Sequence, residues 1–327
     1  MIQFVGKRLL ATLPVLLGVT FLIVAATKLI PGSPGAMRGQ KLTKDEIAAI
    51  DHAFGYDRPL IVQFGNYLGK VAHGDLGDSW SKSTPVLGEL EEKFPATIEL
   101  ACAAMLVATV LGVAFGVIAA LKPRGILDWS IMTSALVGLS MPIFWLGVLL
   151  QRQFAISQRL DLATIPPDGS TGFYVIDAIR AQNGALLLEV LQHLALPALA
   201  LATIPLATIA RLTRASLLEV LQQDYVRTAR AKGLAPRTVV LKHALRNALI
   251  PIVTAFGLQL AALLGGAVLT ETVFSWPGVG SYIVEAAISK DLPALQGAVL
   301  VVSLVYVLAN LLVDISYGLI DPRVRVE

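Results

Sequence analysis

Eight cations crowd into the 41 residues between Arg211 and Pro251: Arg211, Arg214, Arg227, Arg230, Lys232, Arg237, Lys242 and Arg246, against only Glu219 and Asp224. Apolar runs long enough to cross a bilayer flank this segment on both sides. One Lys or Arg at a bilayer centre costs about 2.5–3.5 kcal/mol even on a mild scale, so eight cannot be hidden there. The segment belongs in water, and its excess of Lys and Arg beside two spans places it on the cytoplasmic side. Such a set offers electrostatic docking rather than bond-making. A simple return to the membrane needs only a few residues, so a segment of this length reads as a structured surface for a partner. A basic loop that merely fixes topology is the alternative. Motifs for bond-making are missing from the sequence: it holds no G-x4-G-K-[ST], no H-E-x-x-H and no G-x-S-x-G. Any active transport must therefore draw its energy from another chain. His52, His73, His193 and His243 are scattered without ligand spacing, and no metal site is expected.

The elements that carry these charges are helical with a break. Ser216 to Gln223 and Tyr225 to Lys232 hold mostly good helix formers, Gly233 suits a left-handed position just past a helix end, and Pro236 suits the first turn of a second helix. Two short helices joined at a Gly hinge are predicted. The run from Asp224 to Leu234, with His243 to Ala248 and Pro251, resembles the cytoplasmic loop of ABC importer permeases of the dipeptide/oligopeptide/nickel group, in particular the "B"-type subunits of dipeptide permeases. The general permease motif, E-A-A-x3-G-x9-I-x-L-P, aligns on Gly233 with Arg227, Thr228 and Ala229 in its first three places. Arg227 stands where the motif has Glu, and Pro251 lies further from Gly233 than the motif allows, departures that fit the peptide/nickel branch.

The resemblance implies a coupling helix that seats in a groove of an ATP-binding subunit. Its residues here would be Asp224, Tyr225, Arg227, Thr228, Ala229, Arg230, Ala231, Lys232 and Gly233. It also implies a second, homologous permease subunit, one or two ATP-binding subunits that hold ATP and Mg, and an extracytoplasmic solute-binding protein. No cofactor is expected on this chain itself. The fold implied is that of a type I ABC importer permease. Dipeptides, oligopeptides, glutathione, nickel chelates and some sugars or opines are carried by similar permeases.

Composition agrees with a bilayer as solvent. Of 327 residues, 55% are hydrophobic and 15% charged, and the mean hydropathy is +0.71, which excludes an ordinary soluble domain. The net charge of +3 does not mark a nucleic-acid binder, because the cations gather at span ends and in one loop. Cys102 is alone, so no disulfide forms within the chain. Six stretches qualify as spans: Leu9 to Leu29, Thr97 to Leu121, Trp129 to Leu150, Leu191 to Ile209, Ile252 to Leu269 and Leu295 to Ile320, each near the ~20 residues a helix needs. An all-α polytopic membrane protein with six transmembrane helices is expected, as a single domain over 1–327. It has a long extracytoplasmic loop at 31–94 between the first two helices and a cytoplasmic loop at 211–251. Lys7, Arg8, Lys122, Arg124, Arg323 and Arg325 join the eight cations above on one side, so both termini are expected in the cytoplasm of a bacterial or archaeal cell, bounded by its cytoplasmic membrane. Val24-Ala25-Ala26 mimics a signal-peptide cleavage site, but the apolar run continues past it to Ile30 and a retained first span is expected.

The remaining candidates lie on or beside the spans. Thr43 and Glu46 form a capping-box pattern for a helix within Leu42 to Phe54. Gly112 and Gly116 make a G-x-x-x-G face for close helix contact. Pro142 can kink the third span, either as a moving part of a pathway or as static packing. Pro166 to Gly169 marks a turn in the second outer loop, and Pro197 and Pro205 interrupt the fourth span. Gln259 is either interhelical glue or the lining of a polar path. The run Glu271 to Gly280 resembles the same branch; there Trp276 reads as an interfacial anchor and Pro277 with Gly278 as a shaped turn, in a loop that faces a docked binding protein or the membrane surface. Asn310 and Asp314 stand one turn apart near the inner end of the sixth span, and Asp321-Pro322-Arg323 follows. The expected function is that of a membrane permease subunit of an ATP-driven importer for peptides or related small solutes. An ATP-independent secondary transporter or channel is the competing reading, and it would want several ionisable residues within the spans, of which there are few.

Overall fold

A computed structural model describes residues 2–27, 43–53, 55–154 and 170–320. Among these the chain is helical, with one isolated bridge between Asp78 and Pro85 as its extended pairing. The helices are α1 (Ile2–Thr27), α2 (Lys44–Ala53), α3 (Leu60–Ala72), α4 (Val86–Leu121), α5 (Ile126–Ser140), α6 (Ile143–Phe154), α7 (Tyr174–Arg180), α8 (Gly184–Val220), α9 (Asp224–Ala231), α10 (Pro236–Ala248), α11 (Ile250–Gly266), α12 (Val268–Phe274), α13 (Val279–Ile288) and α14 (Leu292–Ile320). The Pro166 to Gly169 turn and the Asp321-Pro322-Arg323 close lie outside the described residues.

Two helices form the axis. At 1.5 Å per residue, α4 and α8, of 36 and 37 residues, are each about 55 Å long. They pack against one another along much of that length because their facing residues are small. Ala96, Ala101, Ala104 and Ala108 on α4 meet Leu194, Ala198, Leu201 and Ala202 on α8 in one buried core. Gly112 and Gly116 let the backbones touch: a Cβ on Gly116 would stand 2.5 Å from Thr213 Cβ, and one on Gly112 3.0 Å from Ile209 Cβ. Pro197 and Pro205 lie inside α8 without ending it. Round this pair stand α5 and α6 against α8, α13 against the start of α4, and α11, α14 and α1 in sequence.

Three described helices are long and apolar enough to cross a membrane, Val86–Leu121, Gly184–Val220 and Leu292–Val313, and up to five spans result if two bent pairs are each one crossing. The third span is therefore not one rod. It turns by 105° between α5 and α6. The break in the helix is local: Met141 precedes Pro142, whose ring disfavours helical geometry at the residue before it, and Met141 adopts φ −88°, ψ 131°. The pair α10 and α11 bends by 53° on entering the span before Pro251.

Between α1 and α4 the capping box forms as its pattern requires, with Thr43 N donating to Glu46 Oε2 at 2.7 Å and Glu46 N to Thr43 Oγ1 at 3.4 Å. Helix α3 lies against α1, where Phe21 and Phe64 meet edge to face at 5.5 Å. The loop after it is fastened to the start of α14: Asp291 accepts from Ser79 Oγ at 2.6 Å, Ser81 N at 3.0 Å and Ser81 Oγ at 2.8 Å.

Candidate functional site

The basic segment is built as a shelf at the C-terminal ends of α4 and α8. Helix α8 runs on to Val220, so Ser216 to Val220 prolong a span rather than forming a separate short helix. After a three-residue turn, α9 follows. Val226 and Ala229, three apart and so on one face, are buried against Leu217 of α8 and Val239, Val240 and Ala244 of α10. Everything else on α9 faces outward: Asp224, Tyr225, Arg227, Thr228, Arg230 and Ala231 are exposed, as are Lys232 and Gly233 beyond its end. Gly233 has φ +75°, the left-handed geometry that releases the chain from the helix, and Pro236 opens α10 in its first turn. Asp224 sits in the first turn and Arg230 in the last, each on the favourable side of the helix dipole. Tyr225 is held from the flank, its hydroxyl accepting from Asn247 Nδ2 at 2.7 Å. The Arg227–Asp224 pair, 3.3 Å apart on the open surface, adds little.

Arg214 does not share this exposure. Its Nε and Nη2 donate to the two carboxylate oxygens of Asp128 at 2.5 and 2.6 Å, and Arg124 N donates to Asp128 at 2.8 Å. Asp128 is 4% exposed. One of the eight cations thus locks the start of α5 to the end of α8, and the other seven are exposed.

The second group of candidates gathers at the opposite end of α4. Glu271 is fully buried and accepts from Thr97 Oγ1 at 2.8 Å, Gly280 N at 2.7 Å and Ser281 N at 3.1 Å, while Thr97 Oγ1 accepts from Val279 N at 2.9 Å. Trp276 corrects the reading as an interfacial anchor: it is 2% exposed, its Nε1 donates to Ala96 O at 2.8 Å, and its ring meets Tyr174 edge to face at 5.6 Å. An indole with its N–H satisfied inside protein has no need of a headgroup layer. Pro277 is half-buried beside it. Gly278 is required by close approach, since a Cβ there would stand 2.5 Å from both the Glu271 carboxyl carbon and Thr97 Oγ1. The run from Glu271 to Gly280 therefore forms a plug against α4, with Glu271, Trp276, Gly278, Val279 and Gly280 buried and Thr272 and Ser275 exposed.

Pro142 and Gln259 join neither group. Pro142 is exposed at the α5–α6 corner, in a groove that includes Leu269 and Thr270. Gln259 is half-buried on α11, and its side chain has no hydrogen bond within the described residues. Asn310 Nδ2 donates to Tyr306 O in its own helix at 3.0 Å rather than to a neighbour. The side chain of Asp314 lies outside what is described. Sequence reasoning missed Thr97, Asp128 and Asp291; the signal for each was an isolated polar residue at a span end, with nothing in the sequence to say what it faced.

The sequence has counterparts among known proteins. Residues 112–326 match the model of the binding-protein-dependent transport system inner membrane component, and residues 1–101 match that of the N-terminal part of such membrane components. The chain belongs to this family. It is 48% identical to the di/tripeptide transport system permease protein DppB of Pseudomonas aeruginosa (strain UCBPP-PA14), over 99% of each chain. It is 43% identical to the dipeptide transport system permease protein DppB of Escherichia coli (strain K12), again over 99% of each. The glutathione transport system permease protein GsiC of Salmonella choleraesuis (strain SC-B67) is 39% identical over 99% of each. As a binding-protein-dependent permease the chain is a multi-pass inner-membrane transport component of an ABC importer and not an enzyme. Such components work with an ATPase and a binding protein.

Proposed function

We propose that this chain is the permease subunit of an ATP-driven importer of dipeptides or short oligopeptides. The relatives named for di- and tripeptide transport align over nearly the whole chain, which supports that substrate class above the glutathione system at lower identity. The observation that carries the mechanism is α9: an exposed cationic helix whose Val226 and Ala229 are buried at the foot of α8, the longest helix among the described residues. A push on α9 by an ATP-binding partner moves the end of a stiff rod, because α8 is unbroken from Gly184 to Val220.

In this reading α1 completes a set of six spans, both termini and the segment 211–251 lie in the cytoplasm, and the region from residue 31 to the start of α4 lies outside as part of one domain over 1–327. Asp224, Tyr225, Arg227, Thr228, Arg230, Ala231, Lys232 and Gly233 meet the ATPase, whose groove supplies acidic groups, while Ala229 seats the helix on its own subunit. ATP and Mg stay on one or two partner ATPase subunits. A second, homologous permease completes the pathway, to which the Pro142 corner and the Gln259 amide contribute, and an external binding protein docks over the end that holds the Glu271 to Gly278 plug.

Reconstitution tests the whole. Vesicles that contain this chain with its partner permease, ATPases and binding protein should take up a labelled dipeptide only when ATP is enclosed with the ATPases. Uptake by this chain alone would overturn the reading.

A further inference from the structure

The bent pair α5 and α6 is sparsely embedded in its own chain. Of the 15 residues of α5 only Asp128 and Ala135 are buried, and of the 12 of α6 only Gly147. Ile126, Trp129, Phe144 and Trp145 are exposed. A segment with so few buried contacts costs little to move, and what restrains it is concentrated at its two ends.

The inner end is held by the fork from Arg214 to Asp128. Arg214 stands three residues before Leu217, against which Val226 and Ala229 of α9 are buried. The outer end is held on the last turn of α12. Gln151 Nε2 donates to Val273 O at 2.8 Å, which satisfies a carbonyl that a helix end leaves without an intrahelical partner. Gly147 rests on the same turn: a Cβ there would stand 2.9 Å from Phe274 Cε2 and 3.3 Å from Val273 Cγ1. Helix α12 also carries Glu271, the buried acceptor that fastens the plug to Thr97. Between the two fastenings the pair has a joint at Met141, where the helix is interrupted. Beside that joint runs a groove of about 390 Å³, faced by Ile204 of α8 and by Leu269 and Thr270 of α12. The joint therefore has space to swing without displacing packed side chains.

We propose that α5 and α6 form a jointed strut between the α9 shelf and the plug. Movement of the end of α8 passes through Arg214 to Asp128, swings the pair about Met141, and reaches the last turn of α12 through Gln151 and Gly147. This rests on the coupling role of α9 for the source of the movement. The competing route is the α4–α8 pair alone, with the two fastenings serving only to hold the fold together.

The test uses the assembled transporter in nanodiscs, on a Cys102→Ser background because Cys102 is exposed. Spin labels at Phe154→Cys on α6 and Leu106→Cys on α4, both exposed positions, report the distance between the two helices by pulsed electron resonance. Exchange of ADP for a non-hydrolysable ATP analogue should shift that distance. Gln151→Leu, Gly147→Leu and Asp128→Asn should each reduce the shift to less than about half, and Asp128→Glu should keep most of it. Uptake per ATP hydrolysed should fall at least fivefold in the first three, with hydrolysis itself retained. The double variant Asp128→Asn with Gln151→Leu should be no worse than the worse single, since both cut one line of contacts. Should Asp128→Asn fail to assemble, the two outer variants carry the test. No shift in the wild type, a full shift in Gln151→Leu and Gly147→Leu, or losses that multiply in the double variant overturns the strut. A shift that Arg230→Glu abolishes and the fastening variants leave intact removes the strut and keeps the role of α9. A shift that survives Arg230→Glu and Gly233→Pro but is lost in the fastening variants keeps the strut and removes α9 as its driver.

Discussion

Glu271 and Thr97, 174 residues apart in sequence, share a hydrogen bond of 2.8 Å inside a site closed to water, and through it the plug after α11 is fastened to the first turns of the α4 span. The Thr97 hydroxyl donates to Glu271 and accepts from Val279 N, so one small side chain bridges both sides of the plug. Each partner is costly to lose because the other stays buried. Thr97→Val should lower the stability of the purified complex by about 1–3 kcal/mol, the cost of leaving a buried polar group unsatisfied. Glu271→Ala should do the same, because Gly280 N and Ser281 N then lose their buried acceptor. Thermal unfolding followed by intrinsic fluorescence reads both; melting temperatures equal to wild type would dissolve the tie.

Arg214 and Asp128 make a second long-range tie, at the other end. Asp128→Ala leaves a partly buried guanidinium without its fork, and Arg214→Ala leaves a carboxylate that is 4% exposed. Each single change should cost about 1–3 kcal/mol. The double replacement that swaps the charges, Asp128→Arg with Arg214→Asp, should recover part of the loss. A swap no better than the worse single variant would show that packing, and not the ion pair, sets the cost.

The helices were legible in the sequence because their causes are local. The Thr43–Glu46 box, the Gly233 stop and the Pro236 start each depend on residues a few positions apart, and each forms. Gly112 and Gly116 foretold close packing, and the structure adds the partners, Ile209 and Thr213. What the sequence could not carry was the facing of a polar group. Trp276 has the composition of a membrane-surface anchor, yet Ala96 O, 180 residues away, takes its N–H. Arg214 looked like one more loop cation until α5 brought Asp128 to it. The sharpness of the third span was also out of reach: Pro142 predicted a kink, but the 105° turn depends on α6 leaving to pack on α8 and α12. Within α9 the period of Val226 and Ala229 was available, and only the neighbours that bury them were not.

The coupling segment makes the next expectation. Gly233→Pro forbids a φ of +75°, and any L residue there pays about 1–2 kcal/mol, so α9 loses its stop and its angle to α10. Arg230→Glu keeps the helix but inverts an exposed charge. Both variants should insert at wild-type levels and reduce substrate-stimulated ATP hydrolysis by the assembled complex at least fivefold. Val226→Asp, which puts a charge into the seat beneath α9, should do as much and also lower stability. ATPase assays on reconstituted complexes decide; full stimulation in both Gly233→Pro and Arg230→Glu would take the coupling role away from α9.

Asp291 supplies a pH dependence whose sign follows from its surroundings. Burial pushes its carboxyl upward, but the Ser79 hydroxyl and the Ser81 N–H and hydroxyl all donate to it, and together they hold it below the usual carboxylate range. A depressed folded-state pKa contributes stability that is fully present above the unfolded value, about 3.9, and is lost as pH falls through the lower folded value. The fastening of the 79–81 loop to the start of α14 should therefore be unchanged from pH 8 down to about 5 and fail only in stronger acid. Asp291→Asn cannot take three donors on one uncharged oxygen and should cost about 1–3 kcal/mol at pH 7. Its deficit against wild type should then shrink as the pH is lowered below about 4, where the wild type is itself neutralised. Thermal unfolding of both proteins across that range measures it, and a deficit that stays constant into acid would mean that the charge on Asp291 contributes nothing to the fastening.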